Sequence, residues 1–322
     1  MILSHYSLFF LTIFLSIFFL IKLKPLAIYF HLIDEAKNKI HHIDTPKFGF
    51  FLSIVIFINI FLLFFFKSIS NENILITIYI FSFSLIGYLD DRYDLSVKRR
   101  IFISLVITIL FFLYNPNNYY VSNSFNLYIN YILLIFFTLG FIHLVNISDG
   151  LNGLVPSLFL YSCIYYFLKG YPQLDSFFQI LIILAIISIS IFILPNFFGF
   201  CFLGNSGSYF LSILISIFYM DLYSKNVLEY SDILLIFYIP LIDGLRVTVT
   251  RFYKGISPFK GDLTHIHHLI RNNKFLIYFY FALVFMPSLI NFFYKDFTIF
   301  ISFLSTIIFL TFYLYVKNIK NN

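Results

Sequence analysis

The chain has 322 residues, 61% hydrophobic and only 11% charged, with a mean hydropathy of +0.92. Soluble domains carry about a quarter charged residues, so a water-soluble globule is excluded. The net charge of +6 comes without the basic domain and readable motif of a nucleic-acid-binding protein. Continuous apolar runs, in place of short alternating segments, point to membrane-spanning helices and against a membrane barrel.

Eleven runs are predicted as spanning helices, at roughly 2–21, 48–66, 73–89, 101–114, 126–145, 152–168, 177–194, 205–221, 231–250, 275–293 and 297–316. The first has no basic stretch before it and no small-residue cleavage site after it, which reads as a retained helix and not a signal peptide. Cys163 and Cys201 lie in or beside apolar runs and imply no disulfide framework. Of the 21 Lys and Arg residues, 17 fall in loops on one side; only Lys67, Lys169, Lys225 and Lys295 fall on the other. The positive-inside rule makes the richer side cytoplasmic, and an odd number of spans then puts the N-terminus outside.

Four polar clusters, at 90–100, 146–153, 195–208 and 246–274, all map to that side. In "LDDRYD" a continuing helix would set Asp90 and Asp94 on one face, with Asp91 about 100° away. Carboxylates so close repel, and a hard divalent cation such as Mg²⁺ relieves them; the plain alternative is a solvated loop balanced by Arg92 and Lys98. In "VNISDGLNGL", Asn146, Asp149 and Asn152 are three residues apart and offer oxygens to a metal or amides to a base or sugar; an ordinary Gly-Asn turn is the alternative. "GFCFLGNSGSYF" is a Gly-rich turn opening a helix, whose N–H groups suit a phosphate, or else a start capped by Asn205 or Ser206. The stretch 246–273 gathers Arg246, Arg251, Lys254, Lys260, Arg271 and the run His265, His267, His268. Phosphate or sugar contact is favoured there over a zinc site or incidental positive charge. Oxygen ligands, phosphate-gripping cations and Gly turns on one membrane face fit phosphoryl transfer.

Taken together, "DDRYD", "NISDGLNGL", "FLGNSGS" and "SPFKGDLTHIHHLI" resemble, in order, the DDxxD, NxxDGxNGL, FxGDxGS and HxHH segments of the polyprenyl-phosphate N-acetylhexosamine-1-phosphate transferases (glycosyltransferase family 4), in their WecA-like branch related to MraY. "HHIDTPKFGF" looks like a degraded H…TPxxGG segment, with Phe50 in place of the second Gly. The resemblance implies an all-α polytopic membrane protein of about 11 helices, one transferase domain over 1–322 with a cytoplasm-facing cleft, in a bacterial inner membrane. It implies transfer of N-acetylhexosamine-1-phosphate from a UDP-sugar to undecaprenyl phosphate, with release of UMP, as the first step of an O-antigen or capsule-type glycan. The implied cofactor is Mg²⁺, with Mn²⁺ as the alternative ion, and a homodimer is among the assemblies it allows. By motif position Asp90, Asp91 and Asp149 would be catalytic, with the base left open between Asp90 and Asp91. Asp94, Arg100, Asn152, His265, His267 and His268 would bind substrate, as would Arg246 from its proximity to the histidine segment, and Asn146 and Asn205 the metal. The family usually has Asp where this chain has Asn205, which predicts weaker metal binding. An MraY-like transferase acting on UDP-MurNAc-pentapeptide is the nearest alternative, and a transporter the nearest outside enzymes. A transporter would carry its ionisable residues near the bilayer midplane.

Overall fold

The computed structural model describes residues 5–35, 43–66, 70–115, 119, 126–255 and 264–321. Lys37, Lys39, Lys67, Lys260 and the motif portions 41–42 and 257–263 lie outside these residues. Among the described residues the chain is all-α apart from one short strand pair. Helices α1 (His5–Ile21) and α2 (Leu23–Tyr29) are followed by β1 (Ile33–Asp34) and β2 (Thr45–Pro46). Then come α3 (Gly49–Phe66), α4 (Asn71–Tyr93), α5 (Val97–Tyr114), α6 (Leu127–Ser148), α7 (Leu154–Gly170), α8 (Ser176–Phe197) and α9 (Gly204–Ser224). The last are α10 (Tyr230–Ile236), α11 (Tyr238–Tyr253), α12 (Ile266–Ile270), α13 (Lys274–Phe293) and α14 (Thr298–Asn321).

Each of the eleven predicted apolar segments is helical, although the ninth is broken. Five helices (α4, α6, α8, α13 and the stretch Lys295–Ile319) are long and apolar enough to cross a membrane, and up to seven spans result if each bent pair counts as one. The protein is thus a multi-pass membrane protein, and by length and composition its structure supports five to seven crossings. Several other predicted segments, such as Leu154–Gly170, form shorter apolar helices. The bent pairs are α1–α2, at 72°, and α10–α11, at 69°. Pro240 sits in the first turn of α11, where its missing N–H leaves no gap in the helix.

Starts are set by local capping. Ser70, Asn126 and Asn273 accept from the amides of Asn73 (3.2 Å), Ile129 (2.9 Å) and Leu276 (3.2 Å), and open α4, α6 and α13. The organising element is α9. Every residue from Ser206 to Leu222 on it is buried, as expected of a helix apolar on all sides. It packs against α3, α4, α6 and α7, most extensively against α4. Gly87 of α4 permits that approach: a Cβ there would run into the backbone of Asn205 and Ser206. The first turn of α9 and the last turn of α4 are therefore forced together. β1 and β2 pair antiparallel, Ile33 with Pro46 and Asp34 with Thr45. Lys47 then makes a parallel bridge to Phe202, just before α9.

Candidate active site

Helix α4 stops at Tyr93. Asp94 closes it in the left-handed conformation (φ 51°), its N–H on the Asp90 carbonyl at 3.0 Å. The helix does not continue through the motif, so Asp94 does not share a helical face with Asp90; it is exposed and stands apart from the central cleft. Asp90 and Asp91 diverge, as neighbours on a helix must. Asp90 is buried and ion-paired with Arg100 at 2.8 Å. Arg100, expected on a phosphate, ties α5 to α4 instead.

The Asp91 side chain is only 1% exposed. Its Oδ1 accepts from Lys47 Nζ at 2.9 Å and from the Asn205 amide at 3.0 Å; its Oδ2 accepts from the Ser206 amide at 2.9 Å. The amides that the Gly-rich turn was expected to offer to phosphate are thus held by a carboxylate from another helix. A carboxylate there is favoured by the helix dipole as well as by the hydrogen bonds. The N-cap position itself is Leu203, with no side-chain cap, so neither Asn205 nor Ser206 fills it.

Asn146, near the end of α6, donates through Nδ2 to Asn205 Oδ1 (2.7 Å) and Ser208 Oγ (3.2 Å). The two expected metal positions therefore meet. Asp149 follows α6 directly, and its carboxylate has no hydrogen-bond or ion-pair partner among the described residues. Burial, and then the nearby charge of Asp91, push its pKa from the ordinary 3.8 up to about 7. Asn152 is exposed on the same loop. Asn196 fastens this loop: its Oδ1 accepts from the Gly153 amide (2.7 Å) and its Nδ2 donates to the Cys201 carbonyl (2.9 Å).

The His-rich stretch docks on the same loop. A Cβ on Gly150 would collide with the His267 ring, so the glycine next to Asp149 is what lets the two segments touch. Burial, with His268 and His265 adding to it, lowers the His267 pKa to about 3, and the ring is neutral. His265 donates through Nδ1–H to Asp243 Oδ2 at 2.9 Å, and Oδ2 also accepts from the Ile266 amide at 3.2 Å. Arg246 grips Asp243 Oδ1 through Nε (3.1 Å) and Nη2 (2.7 Å), bonds the Thr264 carbonyl and lies over the Tyr313 ring of α14. Asp243, His265 and His267 place ligand atoms within 4.8 Å of one another. The oxygens of Asp243 are nonetheless taken by four donors, and the two imidazole planes are near parallel, at 8°. That arrangement is a hydrogen-bonded hub and not a convergent metal set.

What converges is a cleft of about 320 Å³, lined by Lys47, Asp91, Asn146, Asp149, Asn152, Asn205, His268 and Arg271 among others. Six of the twelve expected residues, Asp91, Asn146, Asp149, Asn152, Asn205 and His268, line it. Asp90, Asp94, Arg100, Arg246, His265 and His267 do not; apart from Asp94 they stand behind its walls. Arg271 belongs to the basic stretch expected to contact phosphate or sugar; Lys47, Asn196 and Asp243 are not among the expected site residues. Asp243 could have been suspected as an acid inside an apolar helix, and Lys47 from its place in the TPxxGG-like stretch. Asn196 carried no signal, because its importance lies in two backbone groups distant in sequence. The cleft lining offers hard oxygens from three carboxylates, Asp34, Asp91 and Asp149, and from four side-chain amides, Asn146, Asn152, Asn196 and Asn205. This set fits Mg²⁺.

Residues 73–223 match the family model described as Glycosyl transferase family 4. The undecaprenyl-phosphate alpha-N-acetylglucosaminyl 1-phosphate transferase of Escherichia coli (strain K12) is 30% identical over 208 residues, covering 59% of this chain and 56% of that protein. The protein of the same name from Salmonella typhi is 28% identical over 205 residues, with the same coverage of 59% and 56%. The probable undecaprenyl-phosphate N-acetylglucosaminyl 1-phosphate transferase of Bacillus subtilis (strain 168) is 27% identical over 271 residues, 76% of this chain and 71% of that protein. The chain thus spans little more than half the length of the first of these relatives, at 56%.

Proposed function

We propose, from the premise that this chain belongs to glycosyl transferase family 4, that it moves an N-acetylhexosamine-1-phosphate from a UDP-sugar to undecaprenyl phosphate. A phosphate oxygen of the acceptor attacks the sugar-bearing phosphorus of the donor. The bond from that phosphorus to the bridging oxygen breaks, and UMP leaves. The product begins a cell-surface glycan, and the cleft faces the cytoplasm of a bacterial inner membrane. The observation that carries this reading is the convergence of segments from α4, α6, α9 and α12 on one cleft with an unpartnered carboxylate in it.

In this reading Asp149 Oδ takes the proton of the acceptor phosphate; a carboxylate with a pKa of about 7 is poised for that at neutral pH. It replaces Asp90 and Asp91 as the base, because each of those is already committed to a cation. Asn146 and Asn205 would hold Mg²⁺, which supplies charge neutralisation at the diphosphate. Arg271 and His268, on the cleft wall, face the donor phosphates. An apolar groove of about 530 Å³ between α6, α9, α10 and α11 reaches Leu144, two residues from Asn146, and suits a polyprenyl tail. The relatives' names make GlcNAc the first sugar to try.

The test is UMP release by the purified protein in detergent, with undecaprenyl phosphate, Mg²⁺, and UDP-GlcNAc, UDP-GalNAc or UDP-MurNAc-pentapeptide in turn. Release that requires both lipid and divalent cation is the expected result. Release without lipid, or none with any donor from folded protein, would refute the reading.

A further inference from the structure

Lys47 holds a place in the site that the transferase reading does not use. Its ammonium lies in the wall shared by the 320 Å³ cleft and a larger polar cavity of about 1040 Å³. Among the described residues one of its three N–H donors is engaged, on Asp91 Oδ1 at 2.9 Å, and the side chain is 15% exposed. Asp91 does not depend on that contact alone, because the Asn205 and Ser206 amides and the positive end of α9 also stabilise its charge.

The backbone beneath it is fixed. The Lys47 amide donates to the Leu32 carbonyl at 2.9 Å, and on either side Phe202 donates to Pro46 at 2.9 Å and Phe48 to Phe202 at 2.8 Å. The ammonium is thus pinned to the turn that opens α9. Arg100 and Arg246 line neither cavity and are bound to Asp90 and Asp243; Lys24 and Arg92 line the larger cavity but not the cleft. Arg271 also lines the cleft, but it comes from the far end of the sequence, after α12.

We propose that Lys47 is a phosphate-binding residue of this cleft, whose two unengaged N–H donors take oxygens of a substrate phosphate. A compact ammonium is a point-charge phosphate ligand, indifferent to whether the phosphate is a monoester or part of a diphosphate. The inference rests on the transferase reading for the identity of the substrates, a lipid monoester or a nucleotide diphosphate, but not for the existence of the anion site.

The experiment is equilibrium binding by the full chain in detergent, without turnover, of inorganic pyrophosphate, UDP-GlcNAc and undecaprenyl phosphate separately. Wild type, Lys47→Met and Lys47→Arg are compared, with melting temperatures for each. Lys47→Met should weaken pyrophosphate and one of the two substrates by roughly tenfold or more, the size of a lost charge-assisted bond. Lys47→Arg should recover most of that loss, and the substrate affected names the source of the phosphate. Binding of all three within twofold of wild type would overturn the proposal. So would a wild type that binds none of them, or a Lys47→Arg variant no better than Lys47→Met. Pyrophosphate binding through Lys47 in a protein that releases no UMP would leave the anion site standing and remove the transferase. UMP release with binding insensitive to Lys47 would do the reverse.

Discussion

Among the described residues Asp149 has no hydrogen-bond or ion-pair partner, unlike Asp34, Asp90 and Asp91. Replacing it with Asn should cut UMP release by roughly 10²–10⁴-fold, the usual yield of a positioned general base. The same variant has a sign-defined effect on stability. A carboxyl whose folded pKa is raised to about 7 binds its proton more tightly in the folded state, so folding loses stability as pH rises from about 4 to about 7. In EDTA, Asp149→Asn should therefore melt above wild type at pH 8 and level with it below pH 4. The ceiling is roughly 4 kcal/mol, at about 1.4 kcal/mol per tenfold in proton affinity. An equal difference at both pH values would show that the carboxyl is not held neutral by the fold. Asn205 supports a second prediction. Its Oδ1 already accepts from Asn146 at 2.7 Å, and Asn205→Asp keeps that bond while adding a charge. Mn²⁺ binding to the isolated protein should tighten and the Mg²⁺ requirement fall; unchanged metal affinity would remove Asn205 from the ligand set.

At the scale of elements, Asp91 joins two helices. From the sequence alone, Asp91→Asn should spare folding and remove activity. The structure adds a mechanical role: the carboxylate closes the first turn of the most buried helix and pairs with Lys47. Asp91→Ala should cost about 3–5 kcal/mol by leaving a buried partner and two amides unsatisfied. Denaturation in detergent checks this, and a loss under about 1 kcal/mol would mean that water replaces the cap. The motif was legible as acidic, but not its division of labour. Asp90 and Asp91 are adjacent letters whose side chains leave the helix about 100° apart, so one meets Arg100 and the other Lys47. In the same way the three histidines read as one run, yet His265 faces Asp243, His267 packs on Gly150, and only His268 reaches the cleft.

Across the whole molecule, the three described lysines that charge counting assigned to the poorer side, Lys169, Lys225 and Lys295, find acids there. Lys169 and Lys295 both reach the fully buried Asp232, at 3.3 and 3.7 Å, and Lys225 bonds Asp221 and Asp175. Tyr165 also donates to Asp232, so α7, α10 and the turn before α14 are knotted together by groups that take no part in the cleft. Asp232→Ala should cost about 3–5 kcal/mol by stranding those partners, while the folded fraction keeps its rate of UMP release. A fall in that rate at constant melting temperature would tie the knot to catalysis. By itself the sequence determined the helices, because apolar runs in lipid can satisfy their backbone only within the segment, and it marked out the four polar segments that meet at one cleft. Only the tertiary structure decided which of their charges remain free, because pairing depends on where side chains meet across helices and not on their order. It gave Arg100 to Asp90, Lys47 to Asp91 and Arg246 to Asp243, and left Asp149 alone in the cleft.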